Sequence, residues 1–335
     1  MALCDSYVVP DPLLPSLSTN DSFTASPSAR RVVVASTGEA AVIAVEAAPL
    51  LSSPFGDGVE VVEVTLVAAD IVPLDRQIAA GKFPPAGPAP YQPGVSAVGR
   101  LADGSLVSVQ GGHHRMGFGR PGCFADRFLA PAAACLPLPP RLDPMVAAAG
   151  AEITTTAVLL LHDHAVLQVG ERVLVLGANG GVGGACVELA LAFGADVIAA
   201  SRRPDELSVP AGVRTVGYDA MAGLGANVII DPVGGDVFGA AVLAGAHRCR
   251  HVFLGYPAGA VISFVLPLLM IAEHRIYGVN EHAIAEDIFL AAARSALDAL
   301  AMGTVRPRVA AVFGLADAAA AFASPSTSGR TLLVP

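Results

Sequence analysis

From Arg31 to about Pro140 the apolar residues come in short runs broken by glycine and proline. Val59–Val67 alternates acidic and apolar residues, which predicts a strand with one buried face. Pro84–Pro93 reads as a proline-rich loop, and Gly111–Gly122, with its glycines, histidines and arginines, as another. Many short strands punctuated in this way predict a small, barrel-like β domain. Near Asp143 the pattern changes. Val146–Leu161 is apolar and helix-like, and Arg172–Leu176 (RVLVL) is a buried strand. The run GANGGVG follows at Gly177–Gly183, then a helix over Ala185–Phe193 and a strand over Asp196–Ala200. That is one βαβ unit. Further strands are expected at Asn227–Ile230, His251–Leu254 and Arg275–Val279, and a helix over Ala285–Met302. Thr304–Phe313 and Thr331–Val334 read as strands that return to the first domain.

Of the 335 residues, 53% are hydrophobic, more than one compact core absorbs, so two domains are expected. The net charge of -9 repels phosphate backbones and argues against nucleic acid as a partner. A mean hydropathy of +0.60 raises the question of a membrane. Val182–Ala200 is interrupted by Glu188 and Asp196, and Ala258–Ala272 is too short for a span and contains Pro267. Both read as buried elements of a parallel sheet and its helices, so no membrane partner is expected. The cysteines at 4, 123, 135, 186 and 249 form no CxxC pair, which fits a reducing, cytoplasmic compartment. Residues 1–30 lack a basic n-region and carry Pro10, Pro12 and Pro15, so they read as a polar leader and not a signal peptide. Lys82 is the sole lysine. No tyrosine stands four residues before it and Phe83 follows it, which excludes a Tyr-x-x-x-Lys dehydrogenase and a P-loop.

The glycines therefore carry the nucleotide argument. They follow a strand and open a helix inside a βαβ unit, as a dinucleotide site requires. Gly180 lets backbone approach a pyrophosphate, and Gly183 lets the helix pack tightly on the strand. With Ala178, Asn179, Gly181 and Val182 they form the cradle, and the helix N-terminus offers N–H groups and partial positive charge. An NAD site places an acidic residue about 20 residues after the glycines, to hold the ribose 2′-hydroxyl. Here that place falls to Ser201, followed by Arg202 and Arg203, which predicts NADPH.

The run VLVLGANGGVG resembles the medium-chain dehydrogenase/reductase superfamily and, within it, the zinc-free quinone oxidoreductase (zeta-crystallin-like) branch. IVPLDRQIAAGKFP (71–84), YQPGVSAVG (91–99), CFADRFLAP (123–131), NVIIDPVGGDVF (227–238) and VRPRVAAVFGLADAAAAF (305–322) resemble further segments of that branch. The resemblance implies an α/β fold: a GroES-like, β-rich catalytic domain over 31–142 and 283–335, and a Rossmann doubly wound parallel-sheet cofactor domain over 143–282. It implies a homodimer paired through the edge strand Arg275–Val279. It also implies NADPH-dependent reduction of a small-molecule substrate, a conjugated C=C or a quinone, by hydride transfer. The alternatives are reduction of an enoyl thioester or biosynthetic enone, or a cofactor-binding protein with little catalysis.

Zinc relatives hold their metal partly through a His-Glu pair after Pro-Gly. Here Val95-Ser96 follows Pro93-Gly94, and Ile71-Val72 occupies the place of the cysteine ligand, so no metal site is expected. The pairs His113-His114 and His162/His164 are not spaced to converge on one ion. The resemblance puts Thr154, Thr155 and Thr156 near the nicotinamide, to bond its carboxamide or the substrate; helix-end hydrogen bonding is the other reading. Gly255 and Tyr256 should lie beside the nicotinamide, Tyr256 as a donor to a substrate carbonyl or as pocket wall. Tyr218 falls where the branch often has a tyrosine on the 2′-phosphate. Asp75 reads as a structural turn residue. Glu152 stands where relatives are mostly apolar, either as a shifted general acid or as the partner of an arginine. Val72 and Phe83 replace an asparagine and a tyrosine of the branch, which removes two polar groups from the pocket.

Overall fold

The computed structural model describes residues 22–23, 29–38, 41–48, 51–52, 54–55, 58–82, 89–325 and 329–335. Phe83, Pro84 and most of the expected leader lie outside the described residues.

Two sheets organise the chain. Arg30–Ser36 (β1) and Val42–Ala47 (β2) form an antiparallel ribbon. The larger sheet takes Val61–Asp70 (β3), Ser96–Arg100 (β4), Leu106–Gln110 (β5), Arg127–Pro131 (β6) and Cys135–Pro137 (β7). It is completed by Val309–Gly314 (β14) and Arg330–Val334 (β15), in the order β14-β15-β3-β4-β5-β7 with β6 also on β3. The C-terminal strand thus returns to the first, Leu332 opposite Asp70.

The second sheet is wholly parallel. Arg172–Leu176 (β8), Asp196–Ser201 (β9), Arg214–Gly217 (β10), Ala226–Asp231 (β11), Gly245–Phe253 (β12) and Arg275–Gly278 (β13) lie in the order β10-β9-β8-β11-β12-β13. This is the doubly wound order, and the chain changes direction between β8 and β11, where a ligand crevice opens at the strands' C-terminal ends. Val173, Leu174, Val175 and Leu176 are all buried, because helices cover both faces.

Most expected elements are present with shifted ends. The first long strand runs Val61–Asp70 rather than 59–67. The helix after the glycines, Gly181–Ala192 (α3), begins inside the glycine run, where low helix propensity concealed its start. The short strand Arg214–Gly217 has no periodicity long enough to read. Helix Pro73–Ala79 (α1) was also hidden, inside a segment read only by resemblance.

Pro144–Val158 (α2) starts at Asp143, whose carboxylate accepts the Met145 and Val146 N–H groups at 2.7 and 3.2 Å, with Pro144 at the first helical position. It continues as a π-turn over Leu159–His164. Pro144–His164 is long and apolar enough to cross a membrane by composition, but 78% of its most apolar stretch is buried inside the protein, as in a core helix. It packs on α3, on Glu286–Ala301 (α6) and on strands β3 and β4 of the other sheet.

Asp75 holds the loops at the sheet's edge. It is buried, and its carboxylate accepts the Val72 N–H at 3.0 Å and the Gly94 N–H at 3.1 Å. These bonds make it a structural turn residue. Asp75→Ala leaves two backbone N–H groups unsatisfied, so we expect a loss of roughly 2–5 kcal/mol of stability, measured by denaturant unfolding. A loss within about 0.5 kcal/mol would show that the two turns hold without it.

Candidate active site

The nucleotide cradle follows from local geometry. Strand β8 ends at Leu176, and Gly177 turns the chain with φ of +59°. The Gly180 N–H donates to the Gly177 carbonyl at 2.8 Å, and Gly180 caps α3. A Cβ on Gly183 would stand 2.3 Å from the Gly177 oxygen, so only glycine lets the helix approach the strand this closely. Ala178 is buried, Val182 and Gly181 are half-buried, and Asn179 and Gly180 are exposed. The first N–H groups of α3 therefore open onto the crevice. The Arg330 guanidinium stands at the same rim: a Cβ on Gly181 would lie 2.9 Å from its Nη1.

Ser201 ends β9, buried, and its Oγ accepts the Arg203 N–H at 3.0 Å. The two arginines differ. Arg203 is exposed and ion-paired to Glu206 at 2.9 Å, whereas Arg202 is exposed with no ion pair to the described residues. The Tyr218 Oη accepts the Gly177 N–H at 3.2 Å, which places the phenol against the glycine turn. Burial pushes that phenol's pKa up, with the Gly177 bond opposing, so its own proton stays in place and free to donate.

Beyond the cradle, α2 presents its C-terminal half. Thr155 Oγ1 donates to the Ala151 carbonyl at 2.7 Å and Thr156 Oγ1 to the Glu152 carbonyl at 3.1 Å, the helix-bonded arrangement. Thr154 is fully buried and its hydroxyl has no partner. Among the described residues no arginine pairs with Glu152. The charge that acts on it most is that of Glu281, in the turn Glu281–Ala283 that follows β13. Both side chains are half-buried, but Glu152 Oε2 and Glu281 Oε1 are sealed from solvent and have no hydrogen-bond partner. Burial first, and then the charge of Glu281, push the Glu152 carboxyl up to about 8. Burial pushes Glu281 up to about 7, opposed by a hydrogen bond with Thr156.

His282 packs against Phe118 with the rings tilted by 48° and their centroids 4.7 Å apart, and burial lowers its pKa to about 4, so it is neutral at pH 7. Asp70 and Arg330 form a buried ion pair nearby, with Nε donating to Oδ2 at 2.7 Å. Tyr256 is 44% exposed in the loop after β12, beside Gly255, which has a φ of +84°. The neighbouring loop after β11, whose Val233 carbonyl accepts the Ala258 N–H at 3.0 Å, is held by Asp231, buried, whose Oδ1 accepts the Val233 and Gly234 N–H groups at 2.8 and 2.9 Å while Oδ2 lies 3.2 Å from His251 Nε2.

Val72 and Val95 sit in an apolar cluster with Ile78 and Phe118. His113 stacks on Phe289, His114 Nε2 lies 3.3 Å from Glu286, and His162 meets the edge of Phe193. Among the described residues no group of three or more His, Cys, Asp or Glu side chains is placed to hold a metal ion.

No family model matches the chain. A mouse protein, quinone oxidoreductase-like protein 2, is 30% identical over 257 residues, covering 70% of this chain and 73% of its own length. The chain belongs to the quinone oxidoreductase-like family of the medium-chain dehydrogenase/reductases. A homologue in Nematostella vectensis is 32% identical over 215 residues, a match that spans 59% of that relative's length. In fold, a quinone oxidoreductase from Pseudomonas syringae pv. tomato superposes with a TM-score of 0.75 at 24% identity, covering 92% of this chain and all of the other. Glu281, His282, Asp70 and Arg330 are the candidate site residues that sequence reading missed. Glu281 and Arg330 lie in segments with no motif to mark them, and Asp70 immediately precedes one.

The raised Glu152 pKa has a consequence for stability. Its protonated form contributes fully below the ordinary glutamate range, and that contribution is lost as pH rises through about 8, when a charge is forced into a buried site. Glu152→Gln should therefore gain in melting temperature relative to wild type between pH 5 and pH 9. A difference that stays constant across those pH values would mean that Glu152 titrates like an exposed glutamate.

Proposed function

We propose that the chain is an NADPH-dependent oxidoreductase that reduces an activated C=C or a quinone by hydride transfer, without zinc. The observation that carries the reading is the cradle: a glycine turn tight enough to exclude any side chain at Gly183, opening beside a free Arg202 and a Tyr218 hydroxyl. The residues present fit the cofactor. The α3 N–H groups and Arg330 take the pyrophosphate, and neutral Ser201 leaves room where an acid would repel a 2′-phosphate. Arg202 and the Tyr218 proton bond that phosphate, while Arg203 is held by Glu206. The nicotinamide, when bound, supplies a hydride to the electrophilic carbon of the substrate. Negative charge then develops on the substrate oxygen and calls for donors. Thr154, with its buried free hydroxyl, and Tyr256 are the candidates. At the places where zinc relatives keep ligands, valines 72 and 95 offer no N, S or O donor.

Loss of NADPH absorbance against a panel of quinones, enones and enoyl thioesters tests the activity. Turnover of thioesters alone would support the biosynthetic alternative, and tight NADPH binding without turnover would support a cofactor-binding protein. For the cofactor, Arg202→Ala should weaken NADPH binding roughly ten- to a hundred-fold and leave NADH nearly unchanged, with a smaller effect for Arg203→Ala. Equal losses for both cofactors in binding titrations would show that Arg202 does not read the phosphate.

We also propose a homodimer. Edge strand β13 is exposed along its length, and with the helix Leu266–Ile271 (α5) it forms an apolar face. Val261 is 81% exposed, Met270 and Ile271 72% each, and Leu266 68%. Faces of this kind mark interfaces, and an open edge strand invites pairing with its own copy. Solution scattering should give twice the chain mass of 33.8 kDa, and Ile276→Asp should shift it toward one copy. A wild-type monomer at micromolar concentration would refute the dimer.

A further inference from the structure

Strand β11 ends at Asp231, whose side chain is fully buried and divided between two tasks. Oδ1 accepts the N–H groups of Val233 and Gly234, in the loop that follows. Oδ2 faces His251 of β12, which is 1% exposed, with Nε2 at 3.2 Å. Behind the imidazole stands Phe238, its ring stacked at a centroid distance of 4.1 Å and 17°. Phe238 belongs to Gly235–Val242 (α4), the helix into which the loop leads. The second imidazole nitrogen, Nδ1, is buried and has no hydrogen-bond partner. Burying such a polar pair costs desolvation, and an apolar ring at 251 would keep the stack on Phe238 without that cost.

The loop that Asp231 holds is wedged between two walls of the crevice. On one side it meets the glycine turn: a Cβ on Gly177 would stand 2.9 Å from Val233 Cγ2. On the other it meets the Tyr256 loop at backbone distance. Gly234 and Gly235 have φ of +65° and +58°, and Cβ atoms there would stand 3.0 Å from Tyr256 Cα and 2.6 Å from the Ala258 carbonyl oxygen. The Ala258 N–H donates to the Val233 carbonyl at 3.0 Å, and the Gly259 N–H to the Tyr256 carbonyl at 2.9 Å. Backbone packed on backbone has little slack, so a shift of residues 233–235 carries residues 255–258 with it.

We infer that Asp231, His251 and Phe238 are positioning residues for Tyr256: they set how far the Tyr256 loop stands from the glycine turn, and so where the Tyr256 hydroxyl meets the substrate. The inference rests on the hydride-transfer reading above, in which Tyr256 is a candidate donor to the substrate oxygen. The three side chains are at most 2% exposed, so they act through the loop and not on the substrate. Phe238 fixes the imidazole, the imidazole fixes the carboxylate, and the carboxylate fixes the two N–H groups.

The test uses the full-length protein labelled with 3-fluorotyrosine, and begins without cofactor. The chain has five tyrosines, and Tyr256→Phe identifies the fluorine signal of residue 256. His251→Phe keeps an aromatic ring against Phe238 and removes the contact with Asp231. In that variant the Tyr256 signal should shift or broaden while that of Tyr91 holds. His251→Gln, which keeps a polar nitrogen facing the carboxylate, should restore much of the wild-type signal. Phe238→Leu frees the imidazole and should move the same signal by less; it carries the test if His251→Phe does not fold. A Tyr256 signal that neither variant moves overturns the positioning. With NADPH and the best substrate of the panel, His251→Phe should lower kcat about ten- to a hundred-fold and leave NADPH affinity within about three-fold. In a Tyr256→Phe background the same substitution should cost less than about two-fold more, because the group it positions is already gone. Losses that multiply in full would overturn the route through Tyr256 and show a general defect of the fold. Wild type that turns over no substrate overturns the hydride-transfer reading, and the fluorine signal then decides the positioning of Tyr256 by itself.

Discussion

Helix α2 is buried on almost every side, and its composition shows how it manages this. Ala147, Ala148, Ala149, Gly150 and Ala151 form a run of small residues that lets neighbouring elements close on it. A Cβ on Gly150 would stand 2.5 Å from the Leu300 side chain, so α6 approaches to backbone distance. Through this helix the mixed sheet and the parallel sheet share one continuous core, which runs from Ala68 and Val98 through Ala147 and Ala157 to Val173 and Val228. Everything the cleft does depends on that contact, because it fixes the side chains of α2 relative to both sheets.

The same helix carries the electrostatic tension of the molecule. Carboxyls at Asp70, Asp75, Glu152 and Glu281 are drawn into the space around its C-terminal half, and burial raises the pKa of each. They are not equivalent. Asp70 has a guanidinium and Asp75 has two backbone N–H donors, as buried charges require. Glu152 and Glu281 have neither.

Arg330 joins the two halves of the site. It begins the last strand, pairs with Asp70 and reaches the N-terminus of α3 at Gly181. The residue that would meet the pyrophosphate therefore also balances charge in the acid cleft.

The βαβ unit, the glycine turn and the returning terminal strand were legible in the sequence because each rests on local rules. A strand buried on both faces must be apolar throughout, a helix that touches a strand needs glycine, and a returning terminal strand keeps its hydrophobic run. Ser201 and Arg202 could be placed near the cradle by counting from those glycines, and Tyr218 by resemblance. The difference between Arg202 and Arg203 could not, since it depends on the direction in which Glu206 points. Asp75 was legible as a turn residue, but its partner at Gly94 was not. The influence of Glu281 on Glu152 was hidden altogether: from sequence an arginine partner was the favoured reading. The helix that carries one and the turn that carries the other meet only when the two sheets close on α2. Periodicity and glycine spacing are set by neighbours along the chain, whereas the charge environment of a buried carboxyl is set by whatever distant segment folds against it.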